Sequence, residues 1–178
     1  DVGNYTYSGS PTTTTAKITP KTLTLSGVAA NDKTYDGGVV ASISSFGTLT
    51  GLVTGDAGYV SLNSSGYTAS FADKNVAYTS GAVVSKTVTV DASSLALAAG
   101  ASGNRAGNYA LVANPTATAK ITAKAITVSG ITASNKVYDG STSATTSVSG
   151  AAFNGKVAGD TLTVNTTGVF DNKDVGTA

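Results

Sequence analysis

AKITPKTLTLSGVAANDKTYDG, from Ala16 to Gly37, is written a second time as AKITAKAITVSGITASNKVYDG, from Ala119 to Gly140. No gap is needed, 13 of the 22 positions are identical, and the register from Tyr35 to Tyr138 is 103 residues. The exchanges keep their character: Leu23 becomes Ile126, Leu25 becomes Val128 and Val28 becomes Ile131. The match runs on in both directions. Gly3-Asn4-Tyr5 returns as Gly107-Asn108-Tyr109, Pro11 as Pro115, and Gly55-Asp56 as Gly159-Asp160. FADKNV from Phe71 returns as FDNKDV from Phe170. Slips of a few residues fall in Gly/Ser-rich stretches, where loops tolerate insertion.

A unit of about 100 residues therefore recurs. That length suits a β-sandwich domain and exceeds the repeats of a solenoid. The expected organisation is the C-terminal strands of a preceding repeat over 1–19, a complete repeat over 20–122, and the N-terminal part of the next over 123–178. The seams are placed at Pro20 and Ala123, because Pro removes a ladder donor and sits at strand starts or edges. A connection that short cannot act as a flexible coil. The chain starts and stops in mid-pattern, so the expectation is an internal segment of something longer.

Composition gives the fold class. Among 178 residues there is no Cys, His, Met, Trp, Glu or Gln, and all ten acids are Asp. Glu, Gln and Met favour helices, whereas the abundant Thr, Val and Tyr suit a pleated surface. The expected class is all-β, with tandem β-sandwich domains, Ig-like or β-grasp-like. Only DASSLALAAGA, Asp91 to Ala101, reads as a helical turn or two.

Alternation of apolar and polar residues marks half-buried strands. Strands are expected at 5–8, 12–18, 22–27, 39–44, 67–71, 86–90, 109–113, 116–122, 125–130, 161–164 and 168–170. Their inward faces carry Leu23, Leu25, Val88, Val90, Ile126, Val128, Leu162 and Val164.

The same composition narrows the chemistry. A net charge of +1 with scattered lysines is no footprint for nucleic acid. No apolar run reaches the ~18 residues of a membrane span. Without His or Cys the common nucleophile–base pairs cannot be built. Without Glu, a glycosidase would need two aspartates. Asp32 and Asp36 are close, but Asp32 becomes Asn135 in the second copy, which does not guard a catalytic pair. No catalytic, cofactor or metal residues are assigned. Asp73, Asp171 and Asp174 lack the spacing of a calcium loop and read as turn carboxylates.

The residues singled out are structural: Lys33, Tyr35, Asp36 and Gly37, with Lys136, Tyr138, Asp139 and Gly140. Asp-Gly is a turn dipeptide, in which Asp bonds its own backbone and Gly supplies positive φ. The preceding Tyr can pin a loop as a tyrosine corner does. Lys17, Lys120, Lys33 and Lys136 are the amines an intramolecular isopeptide bond could use, although edge lysines also discourage aggregation. Sequons stand at Asn4, Asn63 and Asn165, as chance produces in Thr/Ser-rich sequence.

ITxKxxTxSGxxAxxKxYDG, then GD, FxxKxV, GNY and TATAKIT, resembles the YDG-type repeat and is similar to the related MBG repeats. The resemblance covers essentially the whole chain. It implies tandem all-β domains in large bacterial surface or secreted proteins, including filamentous-haemagglutinin-like adhesins. It brings no catalytic residues with it. The expectation is a non-enzymatic segment of a cell-surface or extracellular adhesin or filament. Its partners would be neighbouring repeats, other copies by strand addition, or a host or matrix glycan or protein. The alternative is a carbohydrate- or protein-binding module presenting Tyr5, Tyr7, Tyr59, Tyr67 and Tyr78.

Overall fold

The computed structural model describes residues 2–4, 6, 8–9, 13–111 and 113–176. They form an all-β chain with three short 3-10 turns. Lys21–Ser26 is the middle of one three-stranded sheet. It runs parallel to Tyr109–Leu111, with Lys21 opposite Tyr109, and antiparallel to Thr48–Thr50, with Thr24 opposite Thr50. Lys86–Val90 is the middle of a second, antiparallel to both Ala69–Phe71 and Thr116–Ala119. Val60–Asn63 pairs with Ala96–Ala99, and Ile121–Thr122 runs parallel to Lys33–Thr34.

The core follows from the two central strands. Val88 and Val90 are fully buried, and Phe71, Ala119 and Ile121 close over them. A smaller cluster gathers Leu23, Val60 and Tyr109. Period-two strands put one face inside, as KTVTV does here with its buried valines.

Residues 123–178 repeat the first half of this plan. Thr127–Ser129 pairs with Ala152–Asn154 as Lys21–Ser26 pairs with Thr48–Thr50. Thr132–Ala133 pairs with Thr146–Ser147 as Ala29–Ala30 pairs with Ile43–Ser45. Even the close backbone crossings recur. Gly47, at φ +64, would bring a Cβ 1.9 Å from the Ser26 carbonyl oxygen, and Gly130, at φ +79, one 2.1 Å from the Gly150 carbonyl oxygen.

Several expectations are corrected. Ile126, Val128 and Leu162 are exposed rather than inward, and Val164 is half-buried. In the first unit Leu23 is covered by Tyr109 and Val60; no counterpart of Tyr109 falls within 123–178 to do the same. For the same reason 161–164 forms no strand, since its counterpart Val60–Asn63 exists by pairing with Ala96–Ala99. Residues 13–18 join no strand among the described residues, whereas their counterpart includes Thr116–Ala119, which lies on Lys86–Val90. Tyr5, Tyr7 and Thr12, assigned to strands above, lie outside the described residues. The Ala-rich run becomes one 3-10 turn, Ala92–Ser94, capped by Asp91, followed by the strand Ala96–Ala99.

Candidate functional site

The two Tyr-Asp-Gly turns are built alike. Gly37 and Gly140 take φ of +83° and +77°, a region glycine enters without steric cost. That geometry lets Asp36 Oδ1 accept the Gly38 N–H at 2.9 Å and Asp139 Oδ1 accept the Ser141 N–H at 2.9 Å. Lys33 crosses the first turn from inside, pairing with Asp36 at 2.7 Å and donating to the carbonyls of Gly38 and Val40. Lys136 pairs with Asp139 at 2.8 Å and donates to Ser141. Each ammonium also lies over an aromatic ring, Lys33 at 5.9 Å from the centre of Phe71 and Lys136 at 5.6 Å from that of Phe170. The Lys33 ammonium and the Gly38 N–H hold the Asp36 carboxyl below its ordinary value. The equivalent Lys136 and Ser141 contacts hold the Asp139 carboxyl down, at about 2.

The tyrosines of the two turns differ in what they meet. Tyr35 donates its hydroxyl to Asp160 Oδ1 of the second unit at 3.1 Å. That bond, followed by burial, raises the Tyr35 phenol above its ordinary value. Beside it Val157 sits against Gly37, where an added Cβ would come within 2.8 Å of its Cγ1. The cleft at this junction, about 260 Å³, is lined by Tyr35 and Val76 on one side and by Ala123, Lys124, Val157 and Asp160 on the other. Tyr138, the counterpart of Tyr35, is 57% exposed.

The Gly-Asp and Gly-Asn-Tyr signatures, read in the sequence only as register marks, form a clasp. Val53–Asp56 and Val157–Asp160 are the same turn, each closed by its Asp N–H on its Val carbonyl. In the first unit Asp56 is buried. Its Oδ2 accepts the Tyr109 hydroxyl at 2.6 Å, its Oδ1 accepts an Arg105 N–H, and the Tyr109 hydroxyl itself accepts the Val53 N–H. Tyr109 and Arg105 together hold the Asp56 carboxyl below its ordinary value. Arg105 also stacks on Tyr59, 4.1 Å from the ring centre. The repeat marked the position of Asp56. Arg105 left no such signal, because the first copy carries Asp1 at that register.

Most of the remaining candidates among the described residues are engaged by neighbours. Tyr67 packs edge-to-face on Phe46 and accepts the Ile43 N–H, and Tyr59 lies beneath Arg105, so neither offers a free ring. Tyr78 is exposed on a separate hairpin. Asp73 pairs with Lys86 and accepts the Asn75 N–H, and Asp174 pairs with Lys173 at 3.0 Å. Among the described residues no three carboxylates gather as metal ligands. Lys33 meets Asp36, whose side chain is 60% exposed, as an ion pair in reach of water.

Comparison with known families matches the YDG domain over residues 19–119 and again over 122–178. The chain belongs to the YDG domain family. No curated protein and no solved structure matches it.

Proposed function

We propose that this chain, a member of the YDG domain family, is a non-enzymatic segment of a bacterial cell-surface or extracellular adhesin or filament. Each unit is a β-sandwich of about 100 residues, and units in series supply reach and spacing. The observation that carries this reading is the junction of the two units, where Tyr35 bonds Asp160 and Gly37 receives Val157. A side chain of one unit is spent on the next, so the junction favours one angle between them. The absence of His and Cys from the chain and the engagement of both Lys–Asp pairs in their own turns support a mechanical role over a chemical one.

Small-angle scattering on the chain tests this. The expected profile is that of an elongated particle with one fixed relation between its halves. A compact particle, or two freely bending lobes, would remove the basis for a spacer.

A further inference from the structure

The last strands of the complete unit run the same way as its first. Thr24–Ser26 is shadowed by Thr48–Thr50 and Ala29–Ala30 by Ile43–Ser45, so Lys21 to Thr34 is one run bent at Gly27. Tyr109–Leu111 lies parallel to the start of that run. Ile121–Thr122 lies parallel to its end, with Ile121 opposite Lys33 and Thr122 opposite Thr34. The chain therefore enters the unit at Pro20 and leaves it at Ala123 from opposite ends of this run, roughly 40 Å of strand at ~3.3 Å per residue.

Three bonds fasten the exit. The Lys33 N–H donates to the Lys120 carbonyl at 2.9 Å, the Tyr35 N–H to the Thr122 carbonyl at 2.8 Å, and the Lys120 N–H to Asp32 Oδ1 at 2.6 Å. Among them Ile121 is fully buried in the main core. The strand that receives the exit is itself anchored. The Lys33 ammonium pairs with Asp36 and bonds the Gly38 and Val40 carbonyls across the Tyr-Asp-Gly turn. Beyond the turn the Val39 carbonyl accepts the Phe71 N–H, and Val40 bridges to Ser70. Both contacts tie the turn to the sheet centred on Lys86–Val90.

We propose that the Tyr-Asp-Gly turn anchors a load-bearing clamp, made by Asp32–Tyr35 on Lys120–Thr122. Tension along the chain pulls Pro20 and Ala123 apart. The paired strands are parallel and are drawn from opposite ends, so the pull acts along the strands and across their hydrogen bonds. The three bonds and the seat of Ile121 then share the load and fail together. The same pull slides Thr116–Ala119 along Lys86–Val90, again across the ladder. A pull that separated adjoining strand ends would instead open the bonds one at a time. The clamp belongs to a single unit; its use in carrying tension from unit to unit rests on the spacer reading.

Forced unfolding reads the unfolding barrier rather than the equilibrium stability, so the test is single-molecule pulling of the chain in two directions. The chain has no native Cys. Thr19→Cys with Ala123→Cys places handles at the entry and the exit, and Thr34→Cys with Ala123→Cys places them at adjoining ends of the paired strands. All three positions are exposed. The rupture force is expected to be several times higher in the first direction, with one step that releases up to about 35 nm of chain at ~3.4 Å per residue. Asp32→Ala, at an exposed position, should lower the first force and leave the second unchanged, because the peeling pull parts Tyr35 from Thr122 first. Equal forces in the two directions overturn the proposal. So does a first force indifferent to Asp32→Ala, or a fall in both directions, which would mark a general loss of stability. Failure of the spacer reading is separable: freely bending units with direction-dependent rupture keep the clamp and remove the spacer, whereas rigid units that yield equally in both directions do the reverse.

Discussion

Ile121 and Ile18 share a pentapeptide and nothing else. Replacing Ile121 by Ala leaves a cavity among Phe71, Val88 and Ala119, and such truncations cost about 2–5 kcal/mol. The same change at Ile18, which is fully exposed, stays within about 0.5 kcal/mol, as exposed substitutions do. Denaturant unfolding of the two variants reads the difference directly. Equal losses would contradict the burial assigned to them. The turn carboxylates make a second case. Asp139 titrates at about 2 in the folded chain, below its ordinary 3.8, chiefly because Lys136 bonds it. A lowered folded value means the unfolded chain binds the proton more readily. The stability Asp139 contributes is therefore complete above about pH 4 and disappears as pH falls towards 2. In Lys136→Met, carbon NMR of the Asp139 carboxyl should show its midpoint rising towards 3.8; an unmoved midpoint would mean that Lys136 is not the cause.

Strands form here where a partner exists, and that rule separates the legible from the illegible. Lys86–Val90 was readable from KTVTV alone, and Lys21–Ser26 nearly so. Short pairings such as Ala29–Ala30 with Ile43–Ser45 were not, because two or three residues carry no period to count. The opposite error arose at Thr161–Val164 and residues 13–18, where the pattern is right but no strand among the described residues pairs with it. The Gly pairs behave as elements too. Gly47→Ala and Gly130→Ala each force a Cβ against a carbonyl oxygen at positive φ, so each should destabilise by at least about 1 kcal/mol. Thermal melts check this. A neutral Gly130→Ala would show that the second unit does not hold its crossing.

At the scale of the molecule, the repeat announced two units, and their Tyr-Asp-Gly turns proved alike in Lys, Asp and Gly. The sequence did not reveal that Tyr35 reaches out of its own unit, since a hydroxyl aimed at a residue 125 positions away leaves no local pattern. On the proposed spacer role, the bond from Tyr35 to Asp160 is what sets the angle between the two units. Tyr35→Phe keeps the ring in the first unit's core and removes only the bond to Asp160, so the first unit's melting should hold while the two units lose their fixed relation. If the first unit melted lower instead, the hydroxyl would be serving its own fold.

The most direct measurement is a distance distribution across the junction. The chain has no native cysteine, so Ser65→Cys and Ser149→Cys, on exposed turns of the first and second units, take one spin label each. Pulsed electron paramagnetic resonance on dilute chain should then give a single narrow distance, which broadens when Tyr35→Phe is added. A broad distribution in the parent chain would contradict a junction held by Tyr35 and Asp160, and with it the account of this chain as a spacer of fixed geometry.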